Sequence, residues 1–326
     1  MRKFAMRFLR DLPLRLRVDL AALHRVDEGR QAIEKRLVAE TERLIAEVAA
    51  QAHRPTGTRT AVIGLAANYG IAELTPFVQS LRDSGYEGDI VLLTYGCTAA
   101  TAAYLRDHRV RMVPFTSLGA MPMSMNSARM FRYLDWLLEQ YLNSADEIAY
   151  ERILLADVRD VVFQGDPFRQ APPGRVLFFL ESARTLGSCP INSDWMTRAY
   201  GAGVLQALAH LPVSCAGTIM GTPDGMLEYL ALMTRHLVAV PPQHRFSGVD
   251  QAVHNYILAK GLLRGAVAVP NGASVMTVAS EPPTGVHIDG ADRIVNADGR
   301  ISEVVHQYDR DPLVHAAVLA RYGLTT

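Results

Sequence analysis

From residue 61 to residue 181, short apolar runs alternate with segments of helical spacing, and this alternation constrains the fold more than any other feature of the chain. Ala61 to Leu65 (AVIGL), Asp89 to Tyr95 (DIVLLTY), Val110 to Phe115 (VRMVPF), a run within Ile153 to Phe163, and Val176 to Glu181 (VLFFLE) read as five strands. Continuous apolar runs of this length are typical of strands buried on both faces. Residues 71–83, 98–107 and 125–142 read as helices, with Gly85 as a stop for the first and Asn126 or Ser127 as a cap for the last. Alternating strand and helix predicts an α/β fold, a mainly parallel sheet with helices on both faces. In such sheets ligands bind beyond the carboxyl ends of the strands, so the residues just after each strand are the ones to examine.

The loops after those strands exclude several chemistries. Ala66-Ala67-Asn68-Tyr69-Gly70 after the first strand is not G-x-G-x-x-G, and the chain contains neither a G-x-x-x-x-G-K-[ST] loop nor a G-x-S-x-G elbow. Lys plus Arg and Asp plus Glu are both 33, so the chain lacks the basic surplus that binding a nucleic-acid backbone demands. The three cysteines, Cys97, Cys189 and Cys215, form no C-x-x-C pair, which argues against a disulfide framework or a zinc knuckle and fits a reducing, cytoplasmic setting. The near-absence of lysine, with only Lys3, Lys35 and Lys260, reads as the mark of a GC-rich, bacterial genome.

The densest chemistry lies in residues 152–168, RILLADVRDVVFQGDPF. An apolar run ends in Asp157-Val158-Arg159-Asp160, and two carboxylates at the end of a buried strand are costly unless something pairs with them. A divalent cation does so by taking carboxylate and phosphate oxygens together. The competing reading is an ion pair with Arg159 or Arg152 at a surface turn. Residues 157 and 160 of a regular strand point to opposite faces, so both can meet one ion only where the chain bends. Arg129 and Arg132, three residues apart on the preceding helix, share a face of it.

An apolar strand, an Asp-rich turn and then V-V-F resemble the DXD motif of GT-A glycosyltransferases, the glycogenin-like nucleotide-diphospho-sugar transferases. The order of further motifs is similar too: Asn68-Tyr69 with residues 76–82 (PFVQSLR), the small-residue strand 214–221 (SCAGTIMG), Gly248-Val249-Asp250-Gln251 with His254-Asn255, and Val304-Val305-His306-Gln307-Tyr308-Asp309. The resemblance covers roughly residues 58 to 312. It implies a GT-A (Rossmann-like) fold and a metal-dependent hexosyltransferase that moves a sugar from a nucleotide diphosphate to the hydroxyl of a glycan, lipid or small molecule. It implies Asp157, Asp160 and His306 as ligands of Mn2+ or Mg2+, and Asn68, Tyr69, Arg129 and Asp157 as donor-binding residues. Asp250, Gln251 and Glu181 are the catalytic candidates, with Asp250 alternatively an N-cap of the helix after it. Asn192 to Trp195 (NSDW) is a candidate acceptor wall. A UDP-sugar ranks ahead of a GDP-sugar as donor. The D-x-x-D spacing departs from D-x-D and places Arg159 beside the acids, leaving open which acid meets the metal.

Two other readings stand beside this one. A degenerate GT-A domain would bind a carbohydrate or a partner without catalysis. A nucleotidyltransferase, ranked lower, usually carries a basic residue in the loop after the first strand, which here reads LAANYG. Ahead of the main domain, taken as residues 56–326, residues 1–55 read as a basic helical extension. Its first 18 residues carry six Arg or Lys against Asp11, a net of +5, interleaved with Phe and Leu. Such a segment either docks on its own domain or makes peripheral contact with anionic lipid at the inner face of a membrane. Elsewhere no run of 18 apolar residues occurs.

Overall fold

The computed structural model describes residues 59–115, 123–143, 150–245, 248–278 and 285–325, together with Arg43. The helical extension expected over residues 1–55 lies, Arg43 apart, outside the described residues.

Strands β1 (Arg59–Ala67), β2 (Asp89–Tyr95), β3 (Val110–Pro114), β4 (Tyr150–Ala156), β6 (Val176–Thr185), β7 (Pro212–Gly221) and β8 (Ala266–Val269) form one sheet, ordered β3-β2-β1-β4-β7-β6-β8. Its pairings are parallel except where β7 runs antiparallel between β4 and β6. Helices α1 (Ile71–Asp83), α2 (Ala99–Asp107), α3 (Met125–Asn143), α6 (Pro223–Ala239) and α7 (Val249–Ala259) pack around this sheet, and α4 (Pro190–Tyr200), α5 (Ala202–Leu208) and α8 (Pro312–Arg321) are further helices among the described residues. The expected α/β architecture is therefore present. β1 shows why its strands read as continuous apolar runs: Ala61, Ile63 and Leu65 bury into the cluster built on α3 and α6, and Val62 and Ala66 into the one built on α1.

The expected elements fall close to their observed bounds, with two corrections. The cap of α3 is Ser124, whose Oγ accepts the Ser127 N–H at 3.2 Å, and not Asn126 or Ser127. The apolar segment 153–163 is two strands. β4 ends at Ala156, and β5 (Val161–Phe163) belongs to a second sheet, ordered β5-β12-β9 with β9 (Val275–Thr277) and β12 (Val304–His306). The carboxylates sit in the break between the two sheets. A separate two-stranded ladder, β10 (His287–Ile288) with β11 (Ile294–Val295), is tied to the second sheet through Gln164, whose amide exchanges hydrogen bonds with the Ile294 backbone at 2.6 and 2.9 Å.

Helix α7 supplies backbone partners that β7 lacks. Its Asn255 accepts the Ser214 N–H and donates to the Ser214 carbonyl, both at 2.8 Å, and Gln251 accepts the Ala216 N–H at 2.8 Å. His254 joins Ser214 Oγ and Tyr229 Oη, each at 2.9 Å, and its burial holds the imidazole neutral, with a pKa lowered to about 3. Residues 251, 254 and 255 share one helical face, so a single turn of α7 staples the segment that carries Cys215 and Gly217. Asn255→Ala leaves a buried N–H and a buried carbonyl unpaired, at a cost of about 1–3 kcal/mol each. A melting temperature lowered by several degrees is the expected result in thermal denaturation.

Candidate active site

Local sequence explains why the acidic turn bends. Asp157 leaves β4 with its N–H donated to the Gly217 carbonyl at 2.7 Å, and the chain bends through residues 158–160 before β5 begins. Val158 turns inward onto Gly64 of β1, where a Cβ would collide with its Cγ2. With Val158 buried, the carboxylates on either side of it face outward together. β12 runs antiparallel to β5 with His306 opposite Val161, and the Gln307 N–H closes the corner on the Asp160 carbonyl at 2.7 Å. Sequence neighbours and a residue about 150 positions away thus meet at one point.

There His306 Nε2 stands 3.6 Å from Asp157 Oδ2 and 3.9 Å from Asp160 Oδ1. One ligand atom from each of the three residues lies within 4.8 Å of the others. Two ligands of a Mg2+-sized ion, each about 2.1 Å from it, can be up to about 4.2 Å apart, so the two separations from His306 Nε2 suit one cation. His306 is 1% exposed, and its Nε2 has no hydrogen-bond partner, an orphaned donor or acceptor that a cation would satisfy. Burial disfavours the imidazolium, but Cys215, Asp160 and Glu181 outweigh it and raise the His306 pKa to about 8. Gly217 forms the floor. A Cβ there would collide with His306 Cε1 and lie 2.8 Å from Asp157 Oδ2. Gly217→Ala is therefore expected to displace His306 or Asp157 and weaken Mn2+ binding by about tenfold or more, the scale of lost support around a ligand, as read by calorimetric titration.

The cavity beside this cluster has a volume of about 1060 Å3 and opens beyond the carboxyl ends of β1, β4 and β6. That is the upper end of the roughly 300–1,000 Å3 typical of ligand pockets. Tyr69, Arg129, Asp157, Asp160, Glu181, Asp250, Gln251 and His306 all line it, so nearly every candidate residue converges here. Asn68 departs from this pattern. It takes a left-handed backbone (φ 57°), donates its N–H to the Tyr95 carbonyl, and turns its side chain toward Gly96.

Arg129 and Arg132 separate as well. Arg132 pairs with Asp135 and lies over the Phe115 ring, whereas Arg129 binds Asp157, approaches Asp250 Oδ2 at 3.5 Å and donates to the Ala216 carbonyl at 3.3 Å. Asp250 is not the N-cap of α7. Gly248 holds that position with φ 62°, and Asp250 lies in the first turn, 4% exposed. Burial pushes the Asp250 carboxyl up, and Arg129 opposes the shift. Burial also raises Glu181, against a hydrogen bond from Gln251 Nε2 at 2.7 Å and the positive charge of His306. Asn192 and Trp195 line the far wall, and a Cβ at Gly248 would fall within the Trp195 ring. Arg159, Arg184 and Arg310 at the rim add positive charge that motif reading did not assign, apart from Arg159 beside the acids.

No protein-family model matches the chain, and no curated protein matches it by sequence. Solved structures do. An active-site mutant of LgtC superposes with a TM-score of 0.50 at 13% identity, covering 82% of this chain and 96% of that one. The galactosyltransferase LgtC in complex with donor and acceptor sugar analogues gives 0.48 at 13% identity over the same shares. The bifunctional glycosyltransferase WbbM gives 0.46 at 16% identity, over 78% of this chain and 47% of that longer one. The match to the LgtC mutant, together with the sheet order, identifies the fold as GT-A.

Proposed function

We propose that the chain is a metal-dependent glycosyltransferase that moves a sugar from a nucleoside diphosphate to a hydroxyl acceptor, with residues 56–326 as its transferase domain. The observation that carries this reading is the Asp157–Asp160–His306 cluster, with the bare Nε2 of His306, at the mouth of a large cavity in a GT-A fold. The three side chains suit Mn2+ or Mg2+, which combine carboxylate, imidazole and phosphate oxygens. Bound there, the ion would neutralise the charge that develops on the departing diphosphate.

The protein's own groups do the rest. Arg129 holds Asp157 in place and, with Arg159 and Arg310 at the rim, offsets the negative charge that a diphosphate brings. Tyr69 at the end of β1 supplies a wall for the base or ribose of the donor, a UDP-sugar first. Asp250 lies buried beside Arg129, and Gln251 and Glu181 border the same floor. These three polar side chains are the ones assigned here to the reacting sugar. Trp195 and Asn192 offer an apolar face and an amide to an acceptor.

The test is hydrolysis or transfer with a panel of nucleotide sugars and Mn2+. Turnover of one donor, lost on chelation and restored by Mn2+, supports the reading. Absence of any nucleotide or nucleotide-sugar binding with Mn2+ present would favour a carbohydrate- or partner-binding module.

A further inference from the structure

Helix α4 turns one face to the cavity. Ile191, Asn192 and Trp195 lie three and four residues apart, so they share a side of the helix, and all three line the cavity. Ile191 is 59% exposed. Asn192 is 4% exposed, and one end of its amide stands 3.2 Å from Cys189 Sγ. No described residue meets the other end. A buried amide left half satisfied beside a cavity calls for a partner inside it.

Trp195 is held from behind by a missing side chain. A Cβ on Gly248 would collide with Cδ2, Cε2 and Cζ2 of the indole. Cδ2 and Cε2 are the ring-fusion carbons, which no atom can approach together from the edge, so Gly248 lies against a face of the ring. Its left-handed backbone, φ 62°, is a second reason for glycine there. The other face of the indole is left to the cavity, and no described residue accepts its Nε1–H.

We propose that the open face of Trp195, with Ile191 beside it and the unused amide end of Asn192, is a stacking site for a pyranose ring of the acceptor, and that Gly248 is the positioning residue that makes it. A pyranose carries C–H groups on its faces and hydroxyls around its edge. That is the complement of an apolar platform bordered by a half-used amide and an indole N–H. An open-chain polyol has the hydroxyls without the flat apolar face, and an acyl chain has apolar surface without the hydroxyls. The proposal rests on the glycosyltransferase reading, which makes this wall the acceptor's, and its test separates the two.

The probes are methyl glucoside, methyl galactoside and methyl mannoside, with sorbitol as the open-chain control, titrated by calorimetry into the full chain with Mn2+ and UDP. Tryptophan emission gives a second readout. The chain has two tryptophans, and Trp136 is 3% exposed, so a change on adding sugar reports Trp195. The expected result is that at least one pyranoside binds and changes the emission, and sorbitol does neither. Trp195→Ala lowers pyranoside affinity about tenfold, the scale of a lost aromatic contact. Gly248→Ala lowers it by a similar factor, because the new Cβ drives the ring into the cavity. On the Trp195→Ala background Gly248→Ala has no further effect, since no ring is left to displace.

A wild type that binds no pyranoside, or binds sorbitol equally well, overturns the stacking site. A Gly248→Ala loss that persists in full on the Trp195→Ala background overturns the positioning role. A wild type that binds a pyranoside through Trp195 but binds no UDP with Mn2+ upholds the stacking site, and it is then the transferase reading that falls.

Discussion

Asp160→Ala is expected to weaken Mn2+ binding by more than the roughly 10–100-fold typical of losing an outer-shell partner, and to lower donor turnover by about two orders of magnitude or more. Asp160 is 7% exposed, and its carboxylate faces His306 Nε2. Asp157 cannot take over its share, because Arg129 already engages the other oxygen of that carboxylate. The remaining pair, one neutralised acid and one imidazole, is a poor site for a hard cation that prefers several oxygens. The variant is also expected to lose the stabilisation that Mn2+ binding gives the folded wild type, read as a melting-temperature rise on adding Mn2+ that the wild type shows and Asp160→Ala lacks. A variant with wild-type Mn2+ affinity and turnover would contradict the role assigned to Asp160.

Arg129→Met carries the second large effect, and here stability and site fail together. The guanidinium is nearly buried between Asp157 and Asp250, with side-chain exposures of 10%, 25% and 5% respectively. Removing one partner of a buried pair strands the other, typically at a cost of about 3–5 kcal/mol. The stranded group is Asp250. Its carboxyl is already held above the ordinary range by burial, with Arg129 as the opposing influence. A carboxyl whose folded-state pKa is raised favours the folded state when protonated, and loses that contribution as pH rises through the folded pKa. Arg129→Met raises the Asp250 pKa further. The gap between variant and wild type in urea denaturation should therefore be widest at neutral pH and narrow on acidification. Asp250→Asn on the Arg129→Met background should recover much of the loss, a coupling that a double-mutant cycle measures. A pH-independent gap, or strict additivity of the two changes, would show that Arg129 supports the site by packing alone.

The alternation of apolar runs was enough to place β1, α1, β2, α2 and β3 within a few residues, because β1 and β2 are largely buried on both faces and the helices are amphipathic, while β3, at the sheet edge, keeps its apolar Val110, Met112 and Val113 between exposed Arg111 and Pro114. It could not show that residues 153–163 divide between two sheets. Val161, Val162 and Phe163 are as apolar as the end of β4, and the break between them is made by Val158 seated on Gly64, a contact 94 positions away in the chain. The acids were legible for a different reason. Asp157 and Asp160 interrupt a buried run, and charge at the end of a strand needs a partner. His306 was legible only through motif order, since its meeting with the acids depends on the pairing of β12 with β5. Asn68 stands apart from the residues that line the cavity, because its left-handed backbone carries the side chain toward Gly96, a turn that strand periodicity does not reveal.

The central claim is that one cation is held by Asp157, Asp160 and His306 together. Crystals soaked with MnCl2 and UDP, measured at the manganese absorption edge, test it most directly. The predicted result is an anomalous peak about 2.1–2.3 Å from a carboxylate oxygen of each aspartate and from His306 Nε2, with diphosphate oxygens completing the shell. A nucleotide bound in the cavity with no anomalous peak at these three side chains, or with His306 Nε2 hydrogen-bonded to Asp157 instead, would contradict it.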